Sequence, residues 1–500
     1  MRRIRWVRYT IAGLVVGFVL FVAGFFYQRH STRQEGQVRL AAVTAHLDET
    51  DPRWRIDDID ADRGWLNDDQ NSTLLIPRFK AALASKDFGP VRPGPNREDV
   101  FIGVPPNHVL DDEAAAALDA AMLGNNAALA IARSFKDYPR GLRRYPITPD
   151  WIGTLLPGLQ ETRWVVAMLD TEAERLCRDG RPGAALELVR GMLNAARSVD
   201  GEPFLVSVLV RIAGDASAAN RVERILGLTT PRGGLAELQS MLLAEADADL
   251  FFAGVRGERA GIHLLFTNLQ SGQLPIGISA AIAGAPGSIK PSAADHVTDW
   301  AYEPHLAGDH ATYLETVTKV VELRQLPEHQ QRAALKAIPV PPKERGTLFT
   351  SLLFPIFHKV HDAQLRSRAQ LRCAATALAA ERFRQRHGRW PSSLAEIPKD
   401  VLAAVPLDPF DGTPLKYVRR ADGVTVYSVG QDEKDDGGNV QWDGDIKPGT
   451  DVGIRLFDLS QRGLPSIPRT TNPTRLFPVP DGADDPGTQL GPPPRDLGPS

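Results

Sequence analysis

"ETRWVVAMLDTEAERLCRDGRPGAALELVRGMLNAARS" runs from Glu161 to Ser198. It reads as two helices broken at Gly180–Arg181–Pro182. Glycine just past a helix end can take the left-handed conformation. Proline at the next start gives up only an N–H that has no partner in the first turn. The two helices therefore form an antiparallel pair. The chain from about 160 to 250 is nearly all of this kind, and the fold class it sets is mainly α.

A shift of 34 residues gives a partial self-match in this region: Leu176 falls on Val210, Gly180 on Gly214, Ala184 on Ala218, Ala185 on Ala219, Leu188 on Val222 and Met192 on Leu226. The period and the small residues resemble tetratricopeptide repeats, in which small side chains let paired helices touch. A third copy puts Phe252 and Arg256 where Ala218 and Val222 stand. Two copies fall short of the three a stable solenoid needs, so a plain helical bundle is the reading and a tetratricopeptide-like pair the alternative.

Outward from this body the same period continues. "LDDEAAAALDAAMLGNNAALAIARSF" (110–135) reads as one amphipathic helix with acids in its first turn, as the helix dipole prefers. Residues 309–327 read as another, ended by Pro327, and a long helix is expected over 355–387, ending at Gly388. Residues 31–60 read as a helix stopped by Pro52, then a loop. Residues 86–110, 270–300 and 339–346 read as irregular or linker segments.

The N-terminus, "MRRIRWVRYTIAGLVVGFVLFVAGFFYQRH", carries Arg2, Arg3, Arg5 and Arg8 before an uncharged run from Tyr9 to Gln28. Those twenty residues make a helix of roughly 30 Å, the thickness of a bilayer core. Trp6, Tyr9 and Tyr27 sit where amphipathic rings prefer the interface. The expected lipid contact is the bilayer through residues 9–28. The run is long for a signal peptide and no clear A-x-A site follows, so an uncleaved anchor is expected over a cleaved leader. The arginine excess puts the N-terminus in the cytoplasm and the bulk of the chain outside it, at a bacterial inner membrane. Gly13 and Gly17 form a GxxxG, a spacing that lets membrane helices approach, although glycine is common in such helices.

Composition excludes some classes. Net charge is −3, with 43% hydrophobic and 24% charged residues. That leaves no basic footprint, and no nucleic-acid partner is expected. Two cysteines, Cys177 and Cys373, make no disulfide framework and no CxxC metal motif; one bridge between them is left open.

The C-terminal part is more specific. "ALAAERFRQRHGRWPSSLAEI" reads as a helix, a glycine stop and Trp390–Pro391. Pro409 and Asp411–Gly412 make turns. Leu415 and Tyr417, then Val424 and Val426, alternate around Asp422–Gly423 as a β-hairpin. This pattern, with "YSVGQDEKDDGG" (427–438) behind it, resembles the C-terminal domain of the major pseudopilin of type II secretion over about residues 373–445. The resemblance implies a long helix packed on a small antiparallel sheet and a calcium-binding loop after the S-x-G strand. It departs from the family at the N-terminus. Gly17–Phe18 exists, but Val22 stands where the family has a glutamate, and the anchor lies far ahead of the module. A reused module, not a filament subunit, is the reading.

The candidate metal ligands are Asp432, Asp435, Asp436 and Asp443, with Asp445 close behind and Gly437 and Gly438 free to bend. Calcium takes six to eight oxygens, so clustered carboxylates suit it. As an EF-hand the loop fails, because Lys434 falls where an oxygen is needed and Asp443 replaces the usual Glu. A solvated acidic turn is the alternative. His358, His361 and Asp362, and likewise His305, Asp309 and His310, have spacings that can hold a metal but more often mark packed or surface residues. No HExxH, GxSxG, GxGxxG or P-loop occurs, so no catalytic residue is assigned.

The divisions expected are 1–30, cytoplasmic stub and anchor; 31–110, a juxtamembrane region; 111–345, the helical body; 346–458, the long helix with the α+β module; and 459–500, a disordered tail rich in Pro and Gly. The function expected is a membrane-anchored, extracytoplasmic, non-enzymatic protein with an unknown protein partner. A type II secretion accessory and an envelope hydrolase are the alternatives.

Overall fold

The computed structural model describes residues 2–85, 104–274, 299–344, 346–440 and 450–467; side chains are described from residue 9 onward. Among these residues the chain forms α1 (Arg2–Thr50), α2 (Ile56–Asp62), α3 (Leu75–Ala82), α4 (Asp112–Met122), α5 (Asn126–Ser134), α6 (Leu159–Arg178), α7 (Pro182–Ala196), α8 (Leu205–Leu228), α9 (Leu235–Ala246) and α10 (Leu250–Gln270). Then come α11 (Leu306–Glu322), α12 (Glu328–Ala337), α13 (Leu348–Leu353) and α14 (Pro355–His387). Last are β1 (Lys416–Arg419), β2 (Gly423–Ser428) and β3 (Val452–Phe457). The fold is mostly helical with one small antiparallel sheet, in the order β1-β2-β3.

The apolar run and the helix that Pro52 was expected to stop are one continuous element. α1 is one helix of 49 residues, because no proline interrupts it before Pro52. Residues 110–135 are the reverse case. One helix was expected there, and two form, bent by 87°. Gly124 at φ +77° takes the left-handed conformation that ends α4, and Asp111 caps that helix by accepting from the Ala114 N–H at 2.8 Å.

The turn at Gly180–Pro182 forms as its residues dictate. Gly180 has φ +68°, the Arg181 N–H reaches the Leu176 carbonyl at 2.8 Å, and Pro182 opens α7. The 34-residue match does not map equivalent units, however. Gly180 lies in a turn, whereas Gly214 lies inside α8, where a Cβ would stand 2.7 Å from the Ala196 Cβ. One glycine supplies a backbone conformation; the other lets α8 press against α7.

Two large hydrophobic cores form. One gathers α3, α5, α6, α7, α9, the C-terminal half of α8, the C-terminal half of α14 and the sheet. The other gathers Val43 and Leu47 of α1 with Trp54, the N-terminal half of α8, α10, α11 and the start of α14. α8 and α14 therefore run through both. Each fully buried Leu, Val or Phe contributes about 1.5–3 kcal/mol relative to exposure, so these two helices tie the cores together.

α14 ends where Gly388 takes φ +72°, as expected. Its C-terminal half lies on the sheet through Ala374, Ala377 and Leu378 against Val424, Val426, Ile454 and Leu456. The hairpin pairs Lys416 with Tyr427 and Arg419 with Val424. Gly423 is required at its turn, since a Cβ there would sit 1.9 Å from the Leu456 carbonyl oxygen. Cys177 and Cys373 are both free and buried.

Candidate functional site

The acidic loop leaves β2 on a buried foundation. Asp408 accepts from the Phe410 N–H at 2.9 Å, the Ser428 hydroxyl at 2.8 Å and the Val429 N–H at 2.8 Å. Burial pushes its carboxyl up. Arg332 of α12 then clamps the loop's first half. It donates to the Gln431 carbonyl at 2.7 Å, to Glu433 at 3.1 Å and to Asp362 at 2.8 Å. Arg420 clamps the second half, donating to the Gly437 and Gly438 carbonyls at 2.6 Å each.

The sequence-derived ligands occupy this frame unevenly. Asp432 accepts from the Lys434 N–H at 3.1 Å. Asp435 accepts from the Tyr427 phenol at 3.0 Å and the Gly437 N–H at 2.9 Å. Burial, then this carboxylate, pushes the Tyr427 phenol up to about 12. Asp436 offers its backbone N–H to Asp451 at 3.3 Å, and Gly438 does so at 2.7 Å. Asp443 lies outside the described residues.

Asp451 was missed by sequence reasoning. It stands 15 residues beyond Asp436, where no local spacing connects it to the loop. Burial pushes it up, and Asp435 and Asp436 add to that by repulsion. Among the described residues no three His, Cys, Asp or Glu side chains converge to hold a metal. The loop's carbonyls at 431, 437 and 438 already accept from guanidinium groups.

The histidine candidates separate into packing roles. His361 is buried against Phe251, with ring centroids 4.8 Å apart, and burial holds it down to about 4. Asp362 turns away to Arg332. His358 packs edge-on to Phe354. Asp309 caps α13, accepting from the Phe349 N–H at 2.7 Å and the Thr350 hydroxyl at 2.6 Å, with the Tyr302 hydroxyl as a further donor. His310 belongs to another network. Its Nε2 lies 2.9 Å from His263 Nδ1, its Nδ1 lies 3.1 Å from Gln270, and its ring stacks on Phe266. Burial, then Arg55, holds His263 down to about 4.

A cleft of about 650 Å³ opens beside β1, lined by Arg384, Trp390, Tyr417, Arg419 and Asp458 among others. Its cations are paired: Arg384 with Glu381 at 2.6 Å and Arg419 with Asp458 at 3.2 Å. The Trp390 indole donates to Asp458 at 2.6 Å.

α1 joins the body through a close helix contact. Residues 9–27 of α1 present exposed apolar side chains, among them Leu14, Phe18 and Phe21. The helix is long and apolar enough to span a membrane. A Cβ at Gly13 or Gly17 would meet nothing within 4 Å. Beyond the apolar run, α1 lies along α11 in the same direction. Arg29 pairs with Glu303 at 3.1 Å, joined by Arg33, and Arg39 pairs with Glu315 at 2.8 Å. Between them the backbones touch, since a Cβ at Gly36 would lie 2.7 Å from the Gly308 nitrogen.

No protein-family model matches the chain, and neither a curated protein nor a solved structure does.

Proposed function

We propose that this protein is a membrane-anchored, extracytoplasmic scaffold that holds a pseudopilin-like C-terminal module at a fixed stand-off from the bilayer and offers it to a protein partner. The observation that carries the reading is the continuity of α1 from the apolar run into its seat on α11. A flexible tether would need a break between residues 28 and 40; the Gly36–Gly308 crossing makes it a post. The cleft beside β1 is the surface offered to the partner, and the resemblance of the module makes a secretion-machine component one such partner.

The test is fractionation of the full chain. It should sediment with membranes, resist alkaline and high-salt washing, and dissolve only in detergent. Deleting residues 9–28 should release it. Recovery of the intact chain in the soluble fraction rejects the anchor. A photo-crosslinker at Arg419 should capture one defined protein in cells; scattered or absent adducts reject the docking role.

We also propose that calcium joins the acidic loop through Asp432, Asp435, Asp436 and Asp443. The support is the resemblance of the module and the mutual repulsion of Asp435, Asp436 and Asp451, which a cation offsets. Calorimetric titration of the full chain in detergent, against an Asp436→Asn/Asp443→Asn variant, tests it. Binding lost in the variant supports the site. No heat up to several-fold above the weak extracellular range of about 10⁻³ M rejects it.

A further inference from the structure

The lower end of the body reaches back to the apolar run. Phe25 lies three residues inside the end of the uncharged segment at Gln28, about 4.5 Å below it along the helix. The Trp300 ring stacks on Phe25, with centroids 5.8 Å apart and planes 23° apart. Arg29, one turn further along the same face, places its guanidinium 4.1 Å from that ring. Glu303 follows, taking Arg29 and Arg33. Polarity thus rises along one stripe, from Phe25 through Trp300 to the ion cluster, in step on α1 and on the body.

Trp300 is 49% exposed, although it sits against a membrane-depth residue. A half-bare indole is ill-suited to water and well suited to the headgroup layer, where its apolar ring and N–H both find partners. We propose that Trp300 is a second membrane contact, seated in the headgroup layer of the leaflet beyond Gln28. This rests on the anchor reading above. Transmembrane helices tilt by about 20° on average, with tilt and rotation set by packing and interfacial anchors; a second contact point on the body restricts both.

The two native cysteines are buried, so introduced cysteines can be labelled selectively. Three variants of the full chain, Leu20→Cys, Val38→Cys and Trp300→Cys, carry a spin label in vesicles of phosphatidylethanolamine and phosphatidylglycerol. Power saturation with oxygen and with a water-soluble nickel chelate gives the depth of each. Leu20 and Val38 are both exposed on α1, the latter about 15 Å beyond Gln28. The expected order is lipid for position 20, water for position 38 and interface for position 300. A label at 300 as wet as that at 38, with 20 in lipid, overturns the second contact and leaves the anchor standing. A wet label at 20 overturns the anchor itself. The native indole is read separately: Trp300→Phe should lower the fraction of tryptophan fluorescence quenched by brominated lipid. An unchanged fraction overturns the proposal.

Discussion

The two cores are built from different materials. The one under the sheet is rich in alanine: Ala185, Ala195, Ala218, Ala219 and the run Ala374–Ala380 lie in it. Small side chains bring helices close, and the buried charges between them are tightly paired. Arg224 grips Glu174 at 2.6 and 2.7 Å, with Arg221 on the same carboxylate. The core that seats α1 is aromatic, with Trp54, Trp151, Phe204, Phe251, Phe266, Tyr313, Phe349 and Phe357. It keeps its histidines neutral by burial. Both cores bury charge pairs, Arg224 with Glu174 in one and Arg259 with Asp51 in the other; the second adds aromatic bulk and bases that must stay unprotonated.

The sharpest way to break this contrast is at Glu174. Glu174→Ala leaves Arg224 buried without its carboxylate and Arg221 with Asp170 alone, which costs about 3–5 kcal/mol. A urea midpoint that hardly moves would mean the alanine-rich core does not depend on its ion pairs. Phe266→Ala attacks the other core. It removes the ring on which His310 stacks and should cost about 3–5 kcal/mol, by lost burial and a cavity.

Acid distinguishes them next. Burial holds His263 and His361 down to about 4, below the ordinary value of about 6.5. The unfolded chain then binds more protons between those limits. Their contribution is fully present above pH about 6.5 and is lost as pH falls toward 4. Glu258 and Asp309 in the same core are pushed up by burial and act in the opposite sense. The histidine part is therefore the difference between wild type and His263→Gln/His361→Gln, whose melting temperature should fall less steeply over that range. Parallel curves would show that the histidines carry none of the acid sensitivity.

Gly36→Val should cost about 1–3 kcal/mol by overpacking against α11, and limited proteolysis should begin cutting between residues 30 and 50. The smallest effect belongs to the loop. Tyr427→Phe removes one hydrogen bond to Asp435, worth about 1 kcal/mol. It should raise amide exchange at Gly437 and leave both cores unchanged.

Features set by one or two residues were legible in the sequence. The Gly180–Pro182 turn, the stop at Gly388 and the Asp422–Gly423 hairpin follow from backbone chemistry that tertiary contacts do not override. The split at Gly124 was missed because the apolar spacing of residues 110–135 continues across the bend. The partial 34-residue match mixes two roles of small residues: Gly180 serves a turn and Gly214 a helix contact. At the acidic loop the four aspartates were visible, but their neighbours were not. Arg332, Arg420 and Asp451 come from a separate helix, from the hairpin and from the residue just before β3, and nothing local to 427–438 announces them.

The parallel lie of α1 along α11 has a mechanical consequence. A pull on the body away from the apolar run acts along both helix axes, so the joint is loaded as a lap seam. The ion pairs at 29, 33 and 39 and the glycine crossing at 36 then bear the force together. A sideways pull would instead peel them apart one at a time, beginning at whichever end of the seam it lifts.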